Sequence, residues 1–255
     1  LRDYYLGCIY SNAMECKKAC LRVKVLSRLL SGLVDLVVGN SRYILHWHIE
    51  KKYFLHSKTE VVFNAFSNEG GAPCVSVKKN EVVFGFIGTL SSDKGVDLLC
   101  SQFVEFQAIS NVENKLIIAG KGESIFVENL VRKYSNSNIY FVGYLDPIDF
   151  YNKINWNVVP SIWNEPLARV CFEPKFFGVP VISSSRGGNP EAINDGVDGL
   201  IFDPDKEGDL LKRFCESELV DYSEFSKKSF KDSCRFSIGN LVENYELLYN
   251  NVFDK

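Results

Sequence analysis

The sequence predicts an α/β protein: one complete doubly wound, Rossmann-like parallel sheet, preceded by the C-terminal part of a second Rossmann-like domain. Two observations predict this. From residue 80 onward, six short apolar strands alternate with turns and amphipathic helices. Strands apolar on both faces belong to parallel sheets covered by helices on each side. The second observation is the concentration of Gly, Pro, Ser and Asn in SNEGGAPCVSVKKN (67–80), a linker composition. Weaker α/β signals precede it.

Those earlier signals are LVDLVVGNS (33–41) as a strand and loop, RYILHWHIEK (42–51) as a short helix, and EVVFN (60–64) as another strand. Residues 1–75 are therefore assigned to the partial first domain and 79–237 to the complete second one. The second domain opens with the strand VVFGFIG (82–88), followed by a helix that places Val96, Leu99, Phe103 and Phe106 on one face. KLIIAG (115–120) is the next strand, with a helix near 124–135, then NIYFVG (138–143) with a short helix near 147–154. NVVPS (157–161), PVISS (180–184) and GLIFD (199–203) complete the six strands. The tail NLVENYELLYNNVF (240–253) puts Leu241, Tyr245, Leu248 and Val252 on one stripe. This helix, taken as 238–255, is expected to pack back towards the first domain.

Composition excludes several classes. Lys plus Arg is 29 and Asp plus Glu is 32, a net charge of −3, which argues against a nucleic-acid-binding surface. No apolar run approaches the roughly 20 residues that span a bilayer. Of the eight cysteines, Cys100 and Cys171 lie in apolar stretches and read as buried free thiols, which suits a reducing cytoplasm. Cys8, Cys16 and Cys20 cluster, but their spacing is not that of paired CxxC knuckles, so no metal site is expected. The stretch CKKACLRVKVLSRLLSGL (16–33) interleaves Lys17, Lys18, Arg22, Lys24 and Arg28 with leucines. Such a helix either lies on an anionic membrane surface or packs Leu26, Leu29, Leu30 and Leu33 into the first domain.

In a sheet of order 3-2-1-4-5-6, ligands bind at the carboxyl ends of the strands where the order reverses. Three segments converge there. The first turn runs from Gly88 through Thr89 to Lys94, which sets a cation near the start of a helix; the free N–H groups of that helix favour anions. Its other reading is an ordinary βα loop with a solvated lysine. The second segment is Glu165-Pro-Leu-Ala-Arg-Val-Cys-Phe-Glu173. Pro166 suits the first turn of a helix. Glu165 would precede that helix and Glu173 would lie within it, and the N–H groups of Leu167, Ala168 and Arg169 would be free to hold phosphate. The plain alternative is a capping and a surface glutamate. The third segment joins the Gly187-Gly188 turn to a short helix starting near Asn189-Pro190.

Taken together, these segments resemble glycosyltransferase family 4, retaining enzymes of the two-Rossmann-domain GT-B type. The resemblance is densest over 157–204, which includes the paired glutamates and Gly-Gly-x-Pro-Glu at Gly187 to Glu191. FGFIGTLSSDKGVDLL (84–99), LIIAGKGE (116–123), VDLVVGNSRYI (34–44) and EVVFNAF (60–66) extend it over nearly the whole chain. It implies a hexosyltransferase working in surface polysaccharide assembly. The donor is a UDP-, GDP- or ADP-linked sugar, the acceptor is a glycan or lipid-linked glycan, and no cofactor or metal takes part. It also implies site roles. Glu173 binds the donor ribose, and Glu165 contacts the transferred sugar or the reacting centre. Lys94 neutralises the diphosphate, with Arg169 nearby. Backbone groups around Val142, Gly143 and Leu145 recognise the base. Thr89 departs from the arginine common after Gly88, and Asn157 from a common aspartate. LRDYYLGC (1–8) resembles a segment just after a histidine near the reacting sugar, so about a hundred residues, a typical domain's worth, are expected upstream. A non-catalytic nucleotide-binding fragment and a GT-B nucleotide-sugar epimerase remain the alternatives.

Overall fold

The computed structural model describes residues 1–4, 21–67, 81–134 and 137–253. The clustered Cys8, Cys16 and Cys20, most of the expected linker and the start of the basic stretch lie outside them.

The second lobe is a six-stranded parallel sheet. Its strands are β3 (Glu81–Ile87), β4 (Glu113–Ala119), β5 (Ile139–Gly143), β6 (Trp156–Val159), β7 (Val181–Ser184) and β8 (Gly199–Phe202). They run in the order β5-β4-β3-β6-β7-β8, the expected doubly wound order with its reversal between β3 and β6.

Alternate apolar residues of the strands enter different cores. Phe84, Leu116, Ile118, Val158, Ile182 and Leu200 pack under α3 (Val96–Ile109) and α6 (Asp209–Leu219). Here Phe84 meets Phe103, Phe106 and Phe214 with ring centroids 4.9–5.9 Å apart. On the other face, Val159 and Val181 pack with Leu167, Phe172 and Phe236. Ala119 packs there with Phe150, Tyr151 and Phe177. The helices α4 (Ser124–Tyr134) and α5 (Pro147–Tyr151) follow β4 and β5, and α7 (Tyr222–Asp232) follows α6.

The first lobe, as described, is smaller. β1 (Leu36–Gly39) pairs in parallel with β2 (Lys58–Val61), two residues earlier than the sequence pattern suggests. On its far side β1 is flanked by Leu1, whose carbonyl accepts from Asn40 N at 2.9 Å. Between the strands, α2 (Arg42–Glu50) buries Ile44, Leu45 and His48. α1 (Leu21–Ser31) does not pack its leucines inward: Leu29 is 69% and Leu30 55% exposed. Nothing among the described residues covers that face.

The chain returns to the first lobe before α8 (Ile238–Phe253): Phe66 N donates to Phe236 O at 2.9 Å, and Phe66 bridges Ser237. In α8 itself Leu241, Tyr245 and Leu248 are half-buried, while Val242, Leu247 and Tyr249 are exposed. Among the described residues, no helix is long and apolar enough to cross a membrane.

Candidate active site

The turn after β3 reaches the strand across the reversal because Gly95 takes a left-handed conformation (φ +71°) tight against Pro160. A Cβ there would fall 1.9 Å from the Pro160 carbonyl oxygen. Ile162 N also donates to Asp93 O at 2.9 Å. This approach brings Lys94 Nζ to 2.5 Å from Glu165 Oε1. The Ser161 hydroxyl donates to the same oxygen at 3.0 Å. Lys94 Nζ also lies 5.2 Å from the centre of the Trp163 ring, a favourable place for a cation. Glu165 is only 7% exposed, so its charge depends on these partners.

From the other side, Gly187 (φ +59°) presses on the Glu165 backbone, where a Cβ would stand 2.0 Å from the carbonyl oxygen. Gly188 N donates to that oxygen at 2.8 Å. Lys94, Glu165 and the Gly187-Gly188 bend thus meet at the carboxyl ends of β3, β6 and β7.

The helix expected from Pro166 is absent, which corrects that reading. The carbonyls of Asn164, Glu165 and Pro166 instead accept from Tyr4 Oη (2.7 Å), Gly188 N (2.8 Å) and the Ser41 hydroxyl, partners distant in sequence. Ala168 stays extended, and the first 3₁₀ turn spans Arg169–Cys171, with a second over Glu173–Phe177. Nor are all of the expected phosphate donors open. Ala168 N already donates to Asn189 Oδ1 at 3.0 Å.

Glu173 starts the second turn. Arg169 lies 2.6 Å from its Oε1, and Tyr151 Oη donates to Oε2 at 3.2 Å. Burial raises the Glu173 pKa above the usual carboxylate range, partly offset by Arg169 and Tyr151. Arg169 itself is 64% exposed along its side chain and turns to Glu173. Cys171 is buried, and burial pushes its thiol up to about 12, which makes it an inert packing group.

A cleft of about 350 Å³ opens beside the turn after β3. Gly88, Thr89 and Leu145 line it, together with Lys121, Tyr144 and Pro147. α5 connects it to Glu173, since Pro147 opens that helix and Tyr151 ends it. The Val142 side chain faces a separate hollow on the sheet face, and the Gly143 carbonyl accepts from Gly120 N at 2.7 Å. Lys121 and Tyr144 were not singled out from the sequence. Their signal was positional, since they follow β4 and β5 on the rim where ligands bind.

His48 is buried with Nδ1 at 2.8 Å from the Ile44 carbonyl, and His46 pairs with Glu50 on the surface of α2. Neither reaches the site residues.

The model of the family described as glycosyl transferases group 1 matches residues 75–219, more than half of the chain. The chain belongs to that family. This group 1 glycosyltransferase chain is 32% identical over 197 residues to an uncharacterized 42.6 kDa protein in the cps region of Klebsiella pneumoniae. That match covers 74% of the chain and 51% of the relative, so the chain spans about half of that protein's length. Among solved structures, Alr3699/HepE from Anabaena in complex with UDP superposes with a TM-score of 0.78 at 19% identity. The superposition covers 98% of this chain and 71% of that one. Sucrose-phosphate synthase from Thermosynechococcus elongatus gives 0.77 at 20% identity, over 96% and 65%. The group 1 chain therefore has the GT-B fold of these enzymes.

Proposed function

We propose that this chain supplies the donor side of a retaining glycosyltransferase. The enzyme moves a hexose from a nucleotide-sugar to a glycan or lipid-linked acceptor in surface polysaccharide synthesis, at the cytoplasmic face of the membrane. The observation that carries the reading is the Lys94–Glu165 pair at the strand-order reversal, beside the cleft of Gly88, Thr89 and Leu145. The cps-region relative supports the pathway, and the UDP held by HepE supports a uridine nucleotide.

In this reading the base occupies the cleft between Thr89 and Tyr144. The ribose hydroxyls donate to Glu173, whose two oxygens have lone pairs beyond those used by Arg169 and Tyr151. The diphosphate lies between Lys94 and the start of α3. An ammonium has three N–H donors, so Lys94 holds Glu165 with one and can give the others to phosphate. As the bond from sugar C1 to the phosphate oxygen breaks, negative charge grows on the leaving diphosphate. Lys94 and the α3 N-terminus stabilise it, a preorganised electrostatic route. The acceptor hydroxyl attacks C1 from the face the diphosphate leaves and gives its proton to the departing phosphate oxygen, and the configuration is kept. Glu165 accepts from hydroxyls of the transferred sugar. No step calls for a cofactor.

Membrane contact through 16–33 belongs to the same proposal. The exposed leucines of α1 stand in a sequence that also carries Lys24 and Arg28.

Calorimetric titration with UDP, GDP and ADP tests the nucleotide, and product analysis with UDP-glucose and acceptor tests the reaction. Binding of none of the three ends the proposal, and release of an epimerised donor without acceptor replaces it with epimerase chemistry.

A further inference from the structure

The segment that carries Glu165 is gripped at three consecutive carbonyls, and two of the donors, Tyr4 and Ser41, come from the first lobe. Ser41 is also the N-cap of α2, where its hydroxyl accepts from Ile44 N at 3.2 Å. The seat of that helix therefore decides where the Ser41 hydroxyl meets Pro166.

A second tie fixes the same helix end. Glu191 Oε2 and Oε1 accept from the N–H groups of Arg42 and Tyr43, each at 2.8 Å, across 149 and 148 residues of chain. These N–H groups have no partner within their own helix. A carboxylate at a helix N-terminus makes charge-assisted bonds and is favoured by the helix dipole. Glu191 lies in the 3₁₀ turn Asn189–Ala192, directly after the glycines that press on Glu165. Its own carbonyl accepts from the Arg235 guanidinium at 2.7 Å. The loop thus holds Glu165 at its beginning and α2 at its end.

We propose that Glu191 is a positioning residue: by capping α2 across the lobes it seats Ser41 on Pro166 and so fixes Glu165 against Lys94. The proposal rests on the reading of Glu165 as a donor-site group. It gives the glutamate of Gly-Gly-x-Pro-Glu a role that touches no substrate and makes the placement of Glu165, not the nucleotide cleft, depend on the approach of the lobes.

The test compares full-length wild type with Glu191→Gln and Glu191→Ala, by hydrogen exchange and by kinetics. Glu191→Ala is expected to speed exchange at Arg42 and Tyr43, and also at Gly188, whose N–H holds the Glu165 carbonyl; Glu191→Gln is expected to fall between. The kcat for transfer is expected to fall about tenfold. The Kd for UDP should hold, since the nucleotide cleft is built from the second lobe. Faster exchange confined to Arg42 and Tyr43 would overturn the proposal, because the cap would then be local. An unchanged kcat would also overturn it, as would UDP affinity falling in step with kcat, the mark of a general loss of fold. If the wild type transfers no sugar yet the Gly188 effect is present, the assigned reaction fails and the coupling between lobes stands.

Discussion

The Lys94 ammonium faces one protein carboxylate and, in the proposed reaction, a diphosphate. Lys94→Ala removes both roles and leaves the buried Glu165 carboxylate with the Ser161 hydroxyl. We expect kcat to fall about 10²–10³-fold, the scale of losing one preorganised charge-stabilising group, with weaker UDP binding by calorimetry. Glu173 allows a test by pH. Its pKa is raised by burial, so the folded state favours the neutral acid. That stabilisation is complete below the unfolded carboxylate pKa and is lost as pH rises through the raised folded value. Glu173→Gln should therefore raise the Tm above wild type at neutral pH and leave it unchanged below about pH 4, where both states are already neutral. UDP binding at neutral pH should be lost in the same variant. A Tm difference equal at both pH values would refute the burial argument.

Among the elements, the second sheet tolerates little change where its aromatics meet. Phe214 from α6 fills the space between Phe84 and Phe106, so Phe214→Ala is expected to cost about 3–5 kcal/mol in urea unfolding. Gly187→Ala should be destabilising by roughly 1–3 kcal/mol, through positive φ and the clash with the Glu165 carbonyl, and should reduce transfer more than UDP binding. The strands of this lobe were legible in the sequence because most are apolar on both faces and each is flanked by turn residues. The reversal point followed from their order. The segment after Pro166 was not legible: its helical pattern is local, whereas Tyr4, Ser41 and Gly188, which take its carbonyls, are distant in sequence. β2 shifted for a related reason, since its register is set by Leu36–Gly39 and not by its own apolar residues. Glu191 stood out only as part of a motif, and its partners, two backbone N–H groups, leave no trace in side-chain patterns.

For the whole molecule, the exposed face of α1 sets the last prediction. Full-length protein should co-sediment with vesicles containing anionic lipid and not with neutral ones, and joint replacement of Leu29 and Leu30 by Glu should release it. Equal recovery on both vesicle types, or no binding, would remove the membrane from the proposal. The ties between the lobes have a consequence for synthesis. The Tyr43 amide and the Glu191 carboxylate are 148 residues apart. At about 5–20 residues per second on the ribosome, α2 waits on the order of 7–30 s for its cap. For most of that interval Ser41 and Tyr4 have no Pro166 or Asn164 to bond. The newly made first lobe therefore emerges with its joining surface bare, and its safe passage depends on how quickly the rest of the chain follows.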